Sequence, residues 1–207
     1  ARALPARALL ALKRGALNLD DPSVTVQLLQ ANAVVGVKGI FNAAGTLVSM
    51  GITCALCHST VDDSLAPSVG LRLDGWANRD LNVGAIISLA PNLTPFQTLL
   101  GVDRNAVLAV LATWGPGKFD AQMKLDGKTA TPTGGPAATL IPPAFGLAGV
   151  NLHTSTGWGS VPYWNALVAV PEMGGKGILF DPRLNDGIQF PIARPMALET
   201  CETTRTW

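Results

Sequence analysis

Residues 54–58 read Cys54-Ala55-Leu56-Cys57-His58, and the interpretation of the rest of the chain depends on them. The pattern is C-x-x-C-H, the attachment signal of a c-type haem. The spacing has a chemical reason. Two thiols on one short helical turn reach the two vinyl groups along one porphyrin edge. The histidine that follows lies beneath the iron and offers it an imidazole nitrogen. On this reading Cys54 and Cys57 carry thioether bonds to one covalent haem c, and His58 is the proximal ligand. Three other readings compete. A zinc site wants four nitrogen or sulfur ligands; elsewhere the chain offers Cys201 and His153, and no second C-x-x-C. A thioredoxin-like dithiol needs a βαβ setting, which the flanks do not resemble. Chance occurrence is the third.

Composition sets the bounds. The 207 residues, with a formal net charge of +1, suit one domain or one domain with extensions. A hydrophobic fraction of 48% supports a globular core, while 22 Gly and 15 Pro with only 14% charged residues predict much loop wrapped over it. No basic stripe is present, which argues against a nucleic-acid partner. No apolar run reaches the length of about eighteen residues that a membrane span requires. The start, Ala1-Arg2-Ala3-Leu4-Pro5-Ala6-Arg7, is too charged and too short in apolar residues for a signal peptide. Covalent haem attachment takes place outside the cytoplasm. The expected location is therefore periplasmic or extracellular, after removal of a signal peptide. Two of the three cysteines serve the haem, which leaves Cys201 without an obvious partner.

The expected fold class is mostly α, a cytochrome c-like haem domain with long loops and one small β-hairpin. Residues 1–33 read as an N-terminal helical extension, 34–192 as the haem domain and 193–207 as an irregular tail. Asp21-Pro22 is an N-cap followed by proline at the first helical position, opening a helix to about Ala33. Val34–Phe41 and Thr46–Met50, β-rich and separated by Asn42-Ala43-Ala44-Gly45, predict the hairpin that leads into the attachment turn. Short helices are expected over Asn82–Leu89 and Pro95–Leu100. A clearer one runs from Arg104 to Trp114, capped by Asp103 and stopped by Gly115-Pro116-Gly117. Ser160–Val170 is the last expected helix; after Pro171 the chain reads as irregular.

A six-coordinate electron-transfer haem needs a second axial ligand, usually Met or His. Met173, in the loop Val170-Pro171-Glu172-Met173-Gly174-Gly175, is the leading candidate and His153 the alternative, with an open site as the third case. Each methionine has the competing role of core filler. Pro142-Pro143-Ala144-Phe145-Gly146-Leu147 is a stiff apolar segment that suits a haem wall, with Pro143 and Phe145 at its centre. Trp76, Trp114, Trp158 and Trp164 are further wall candidates, each equally explicable as a core aromatic. Arg72 and Arg79 flank Trp76 and are the expected partners of the haem propionates; ordinary surface arginine is the rival reading.

Two longer stretches around these residues carry a family resemblance. Gly51-Ile52-Thr53-Cys54-Ala55-Leu56-Cys57-His58-Ser59-Thr60-Val61-Asp62, followed by Leu73-Asp74-Gly75-Trp76-Ala77-Asn78-Arg79-Asp80-Leu81-Asn82-Val83-Gly84, resembles the first haem domain of the di-haem cytochrome c peroxidase/MauG-like superfamily. So does Ile141–Val150 running on to Gly157-Trp158-Gly159 and Tyr163-Trp164-Asn165-Ala166. The resemblance spans roughly residues 20–192 and implies a cytochrome c-like fold with insertions and a distal ligand at Met173. The family pattern continues beyond Asp181-Pro182-Arg183-Leu184 into a second domain with its own C-x-x-C-H. This sequence has one such motif, and peroxidase chemistry in the family uses two haems. The tail Ala197–Trp207 matches neither core nor cap. Back-translated one base out of register it gives a polar sequence suited to the longer relatives, which predicts a frameshift that truncated a two-haem ancestor. A nucleotide sequence with no second motif in that frame would end the idea.

Together these readings predict an exported mono-haem cytochrome that carries single electrons to and from a redox partner protein or a neighbouring haem chain. The rivals are a peroxidase-like haem enzyme with an open distal side and a subunit of a self-associating homo-oligomer or polymer that conducts electrons.

Overall fold

The structure, a computed structural model, describes residues 6–121, 138–153, 157, 159–173, 175–191, 193–194 and 200–203. Met123, Trp158 and Met196 lie outside the described residues. The chain divides into two compact units, residues 1–81 with 141–146, and residues 82–140 with 147–207.

The first unit opens with α1 (Ala6–Lys13) and α2 (Pro22–Gln30). Asp21 caps α2, its Oδ1 accepting from Ser23 N at 2.8 Å, and Pro22 occupies a position whose N–H has no helical partner to lose. The hairpin of β1 (Val37–Phe41) and β2 (Leu47–Ile52) follows, in the register Val37↔Ile52 and Gly39↔Met50. Asn42 closes its turn, with Oδ1 accepting from Ala44 N at 3.0 Å and Thr46 N at 2.9 Å. The motif then forms the single turn α3 (Ala55–His58), and the chain passes at once into β3 (Ser59–Val61), paired antiparallel with β4 (Arg72–Asp74). The loop between these strands is tied by Asp62, whose Oδ1 accepts from Ser64 N and Leu71 N. Hydrogen bonding from the Ser64 side chain first, then from the Ser64 and Leu71 N–H groups, holds the Asp62 carboxyl below the usual carboxylate range.

The second unit contains α4 (Val83–Ser88), α5 (Thr94–Leu100) and α6 (Arg104–Trp114), then the short pair β5 (Lys118–Phe119) and β6 (Thr139–Leu140). Asn82 and Asp103 cap α4 and α6 by accepting from Ala85 N at 2.9 Å and Ala106 N at 2.8 Å. Leu93, Val107, Leu111 and Trp114 form one buried core here, with Phe119 meeting Trp114 edge to face at 5.6 Å. Farther on, α7 (Val161–Leu167) runs into a π-helical turn (Val168–Glu172). The chain continues through β7 (Gly177–Phe180), a 3₁₀ turn (Pro182–Asn185) and β8 (Thr200–Thr203), which pairs antiparallel with β7. Leu167, Val170, Leu179, Leu184, Phe190 and Ala193 make the second buried core.

The expectation of a mostly α chain with one hairpin is corrected: the architecture is mixed, 36% helix and 17% strand. Four two-stranded antiparallel sheets occur among the described residues. Three of them were not expected, because strands of two to four residues are too short to display a period of two. The stretch after Pro171 is likewise not irregular throughout, since β7, the 3₁₀ turn and β8 lie within it.

Candidate functional site

The site is built on the first unit. Cys54 initiates one α-helical turn, with His58 N donating to Cys54 O at 3.0 Å. Residues three and four positions apart on such a turn share a face, so Cys54, Cys57 and His58 project from the same side. Cys54 is exposed, and Cys57 and His58 are half-buried. The chain entering β1 lies against this turn: Gly36, at φ +78°, would place a β-carbon 2.2 Å from Leu56 Cα, so no side chain fits there.

The histidine is held at both ends. Its Nδ1 lies 3.0 Å from the carbonyl oxygen of Pro142. A carbonyl can only accept, so Nδ1 carries the proton and, in the neutral ring, Nε2 carries the lone pair. His58's own carbonyl accepts from Gly75 N at 2.9 Å, and Gly75 O accepts from Ala144 N at 2.7 Å. These bonds close a loop through three chain segments, from the imidazole to Pro142, along to Ala144, across to Gly75 and back to His58. Gly75 can make both bonds because it adopts φ +83°, which side-chain-bearing residues rarely do. The residues next to this frame, Trp76 and Phe145, pack on each other with ring centroids 5.5 Å apart, yet remain 53% and 49% exposed. Met50 and Ile52, at the end of the strand that feeds the motif, are also exposed. Several large apolar side chains adjacent in sequence to the motif or to the residues that frame His58 are thus left exposed.

Arg72 lies on β4, where its Nε donates to Asp74 Oδ1 at 2.5 Å; the exposed Asp74 also accepts from the buried Ser59 hydroxyl at 2.7 Å. Ser59's hydrogen bond first, and Arg72's second, hold the Asp74 carboxyl below its usual range. One edge of the Arg72 guanidinium is therefore engaged. Arg79 is exposed. Pro143 sits between the acceptor Pro142 and Ala144 and is exposed.

No family model, curated protein or solved structure matches the chain. Among the described residues no group of three or more His, Cys, Asp or Glu gathers as a metal cluster. His153 and Met173 belong to the second unit. His153 bridges to Gly159, its N–H donating to Gly159 O at 2.8 Å; Met173 ends the π-helical turn, half-buried, its N–H donating to Val168 O at 2.8 Å. Trp114 is fully buried and Trp164 packs on the core of its own unit, Trp164 Nε1 donating to Gly159 O at 3.2 Å.

The sequence did not reveal three members of the site: the Pro142 carbonyl, Gly75 and Asn78. The first two act through backbone atoms, which every residue shares, so residue type carries no signal for them. Asn78 donates from its side-chain Nδ2 to Leu56 O and from its backbone N to Cys57 O, both at 2.9 Å.

Proposed function

We propose that this chain is an exported mono-haem c-type cytochrome, in which Cys54 and Cys57 hold one haem by thioether bonds and His58 is its proximal ligand. The observation that carries the reading is the His58 Nδ1–H···O=C bond to Pro142 at 3.0 Å, made from a one-turn helix with C-x-x-C-H sequence. A metal-ligating imidazole needs its other nitrogen tied down, because that bond fixes the tautomer, orients the ring and raises the basicity of the ligating nitrogen. A solvent-facing histidine of no function has no need of such a frame.

The surroundings fit the same group. The exposed Trp76–Phe145 pair and the uncovered Met50 and Ile52 are apolar groups beside a site proposed to receive a large apolar ring. Covering the exposed half of each aromatic would contribute roughly 1 kcal/mol. Arg79, with the unengaged edge of Arg72, offers cationic donors for carboxylates at the rim.

Bound haem supplies reversible one-electron chemistry. The chain's own part is to hold and shield. Two cysteines three residues apart bind on one face of the turn, His58 presents Nε2, and the loop through Gly75, Pro142 and Ala144 prevents the imidazole from rotating. None of this requires an acid–base pair, which suits an electron carrier serving a redox partner protein. Among the described residues no helix is long and apolar enough to cross a membrane.

The test is an optical spectrum of the reduced protein together with a pyridine haemochrome assay on denatured material. One haem per chain, retained after extraction with acidified organic solvent, is expected. Pigment that is absent or extractable would overturn the proposal.

A further inference from the structure

The turn that bears the motif ends after one revolution, and a helix end leaves carbonyls without intrahelical partners. Here three consecutive carbonyls are all satisfied by one loop. Leu56 O accepts from Asn78 Nδ2, Cys57 O from Asn78 N and His58 O from Gly75 N, each at 2.9 Å. Two of the three bonds come from one residue. Asn78 is itself fixed, because its Oδ1 accepts from Asp80 N at 3.3 Å and Leu81 N at 3.2 Å. Its carboxamide therefore has its acceptor end on its own turn and its donor end on the motif.

We infer that Asn78 is the positioning residue of the haem site: its carboxamide donor holds the Leu56–Cys57 backbone so that the Cys57 thiol and the His58 ring keep their places relative to the Pro142 carbonyl. The inference rests on the haem reading above. It follows from connectivity. Ring orientation depends on where the His58 backbone stands with respect to Pro142. That backbone is fixed on one side by Gly75 and on the other by the carbonyls that Asn78 grips. A loosened turn lengthens the Nδ1–H···O=C bond, makes the imidazole a weaker base and favours the reduced metal.

Two substitutions in the full, haem-loaded chain separate the donor from the rest of the residue. Asn78→Ala removes both ends of the carboxamide. Asn78→Asp keeps the acceptor toward Asp80 and Leu81 but cannot donate to Leu56 O at neutral pH. Wild-type material is first assayed for covalent haem; failure there sinks the haem reading itself, whatever Asn78 does. With covalent haem present, both variants are expected to show a reduction potential above wild type. Both should also lose doubly attached haem on the order of tenfold, read from the mass of the peptide spanning residues 54–58. Asn78→Asp should do so at least as strongly as Asn78→Ala, because its second carboxylate oxygen faces the Leu56 carbonyl oxygen, acceptor against acceptor. Wild-type potential and attachment in Asn78→Asp would overturn the inference, as would a fall in melting temperature alone. If neither variant folds, proton exchange at the Asn78 carboxamide of the wild type decides. Slowed exchange of one amide proton supports the clamp, and exchange of both at the free-amide rate refutes it.

Discussion

Each unit of the molecule is stabilised internally, and by different means. In the second, Trp114, Leu93, Leu111, Leu167, Leu184 and Val107 are the largest side chains almost wholly closed to solvent, and they gather into two apolar cores. In the first, the corresponding side chain is that of a serine, Ser59, at 2% exposure. Its buried apolar residues, Leu12, Val24, Leu29, Leu81 and Ile141, gather into no core of that kind among the described residues, while Trp76, Phe145, Met50 and Ile52 stand exposed. Hydrogen bonds do the organising there, through Asn42, Asp62, Gly75, Asn78 and the Pro142 carbonyl. Apolar burial is the main favourable term in folding and a net hydrogen bond adds only about 1 kcal/mol. A unit built this way gains most from a large apolar group seated where its own apolar side chains are left open.

The strongest way to break this contrast is to remove the two motif thiols. On the haem proposal, replacing Cys54 and Cys57 together by alanine is expected to abolish covalent haem attachment. It should also expose the first unit to protease, with new cleavages between residues 36 and 81, while peptides from 82–121 keep their protection. Limited proteolysis read by mass spectrometry checks this. Equal loss of protection in both stretches would show that the two do not differ in what stabilises them.

The complementary experiment is on the second unit. Trp114→Ala deletes a fully buried indole from the core of Leu93, Val107 and Leu111 and should cost about 3–5 kcal/mol. Under the haem proposal, covalent haem per chain should remain at the wild-type value. Chemical denaturation and a haemochrome assay on the same preparation give both numbers. A loss below about 1 kcal/mol would mean that this core is not what holds its unit together.

These contrasts were only partly legible in the amino-acid sequence. Local chemistry was: Asp21-Pro22 and Asp103 mark the starts of α2 and α6, and Asn42–Gly45 marks the hairpin turn, because caps and turns are encoded by side chains acting within four residues. The pairing of Ser59–Val61 with Arg72–Asp74, or of Gly177–Phe180 with Thr200–Thr203, was not. Such short strands exist because of a partner distant in sequence, and that is why a mostly helical chain was the wrong expectation. At the site, the motif named the thiols and the imidazole. It could not name the Pro142 carbonyl, 84 residues away, which tells the imidazole which nitrogen to protonate.

A smaller effect concerns the polar part of the second unit. Asp181 is buried at 4% exposure beyond the end of β7 and receives Arg183 in bidentate fashion, Nε to Oδ1 at 2.9 Å and Nη2 to Oδ2 at 2.6 Å. The Arg183 guanidinium also lies 5.5 Å from the centre of the Tyr163 ring. Burial pushes the Asp181 carboxyl up, but the hydrogen bonds from Arg183 outweigh it and hold the carboxyl below its ordinary value. A depressed carboxyl contributes stability that is present above the ordinary carboxylate pKa of about 3.9 and is lost as pH falls through the folded value. Asp181→Asn should therefore cost about 1–3 kcal/mol at pH 7, since Arg183 is half exposed and keeps some hydration. Its melting temperature should fall less steeply than that of wild type below about pH 4. Parallel acid profiles for the two proteins would remove Asp181 from the account.

The smallest expected change tests the first unit's reliance on hydrogen bonds directly. Ser59→Ala deletes the 2.7 Å bond to Asp74 and leaves the Arg72 contact in place. The Asp74 carboxyl should rise toward the ordinary value without reaching it, because Ser59 is the larger of the two influences and Arg72 the smaller. Carboxyl chemical shifts followed through an acid titration read the change at the residue itself. The stability that Asp74 adds should then disappear at a higher pH than in wild type, because it is lost as pH falls through the folded value. An unchanged Asp74 titration would mean that Arg72 alone sets it, and that the buried serine next to His58 holds the β3–β4 pair by packing and not by its hydroxyl.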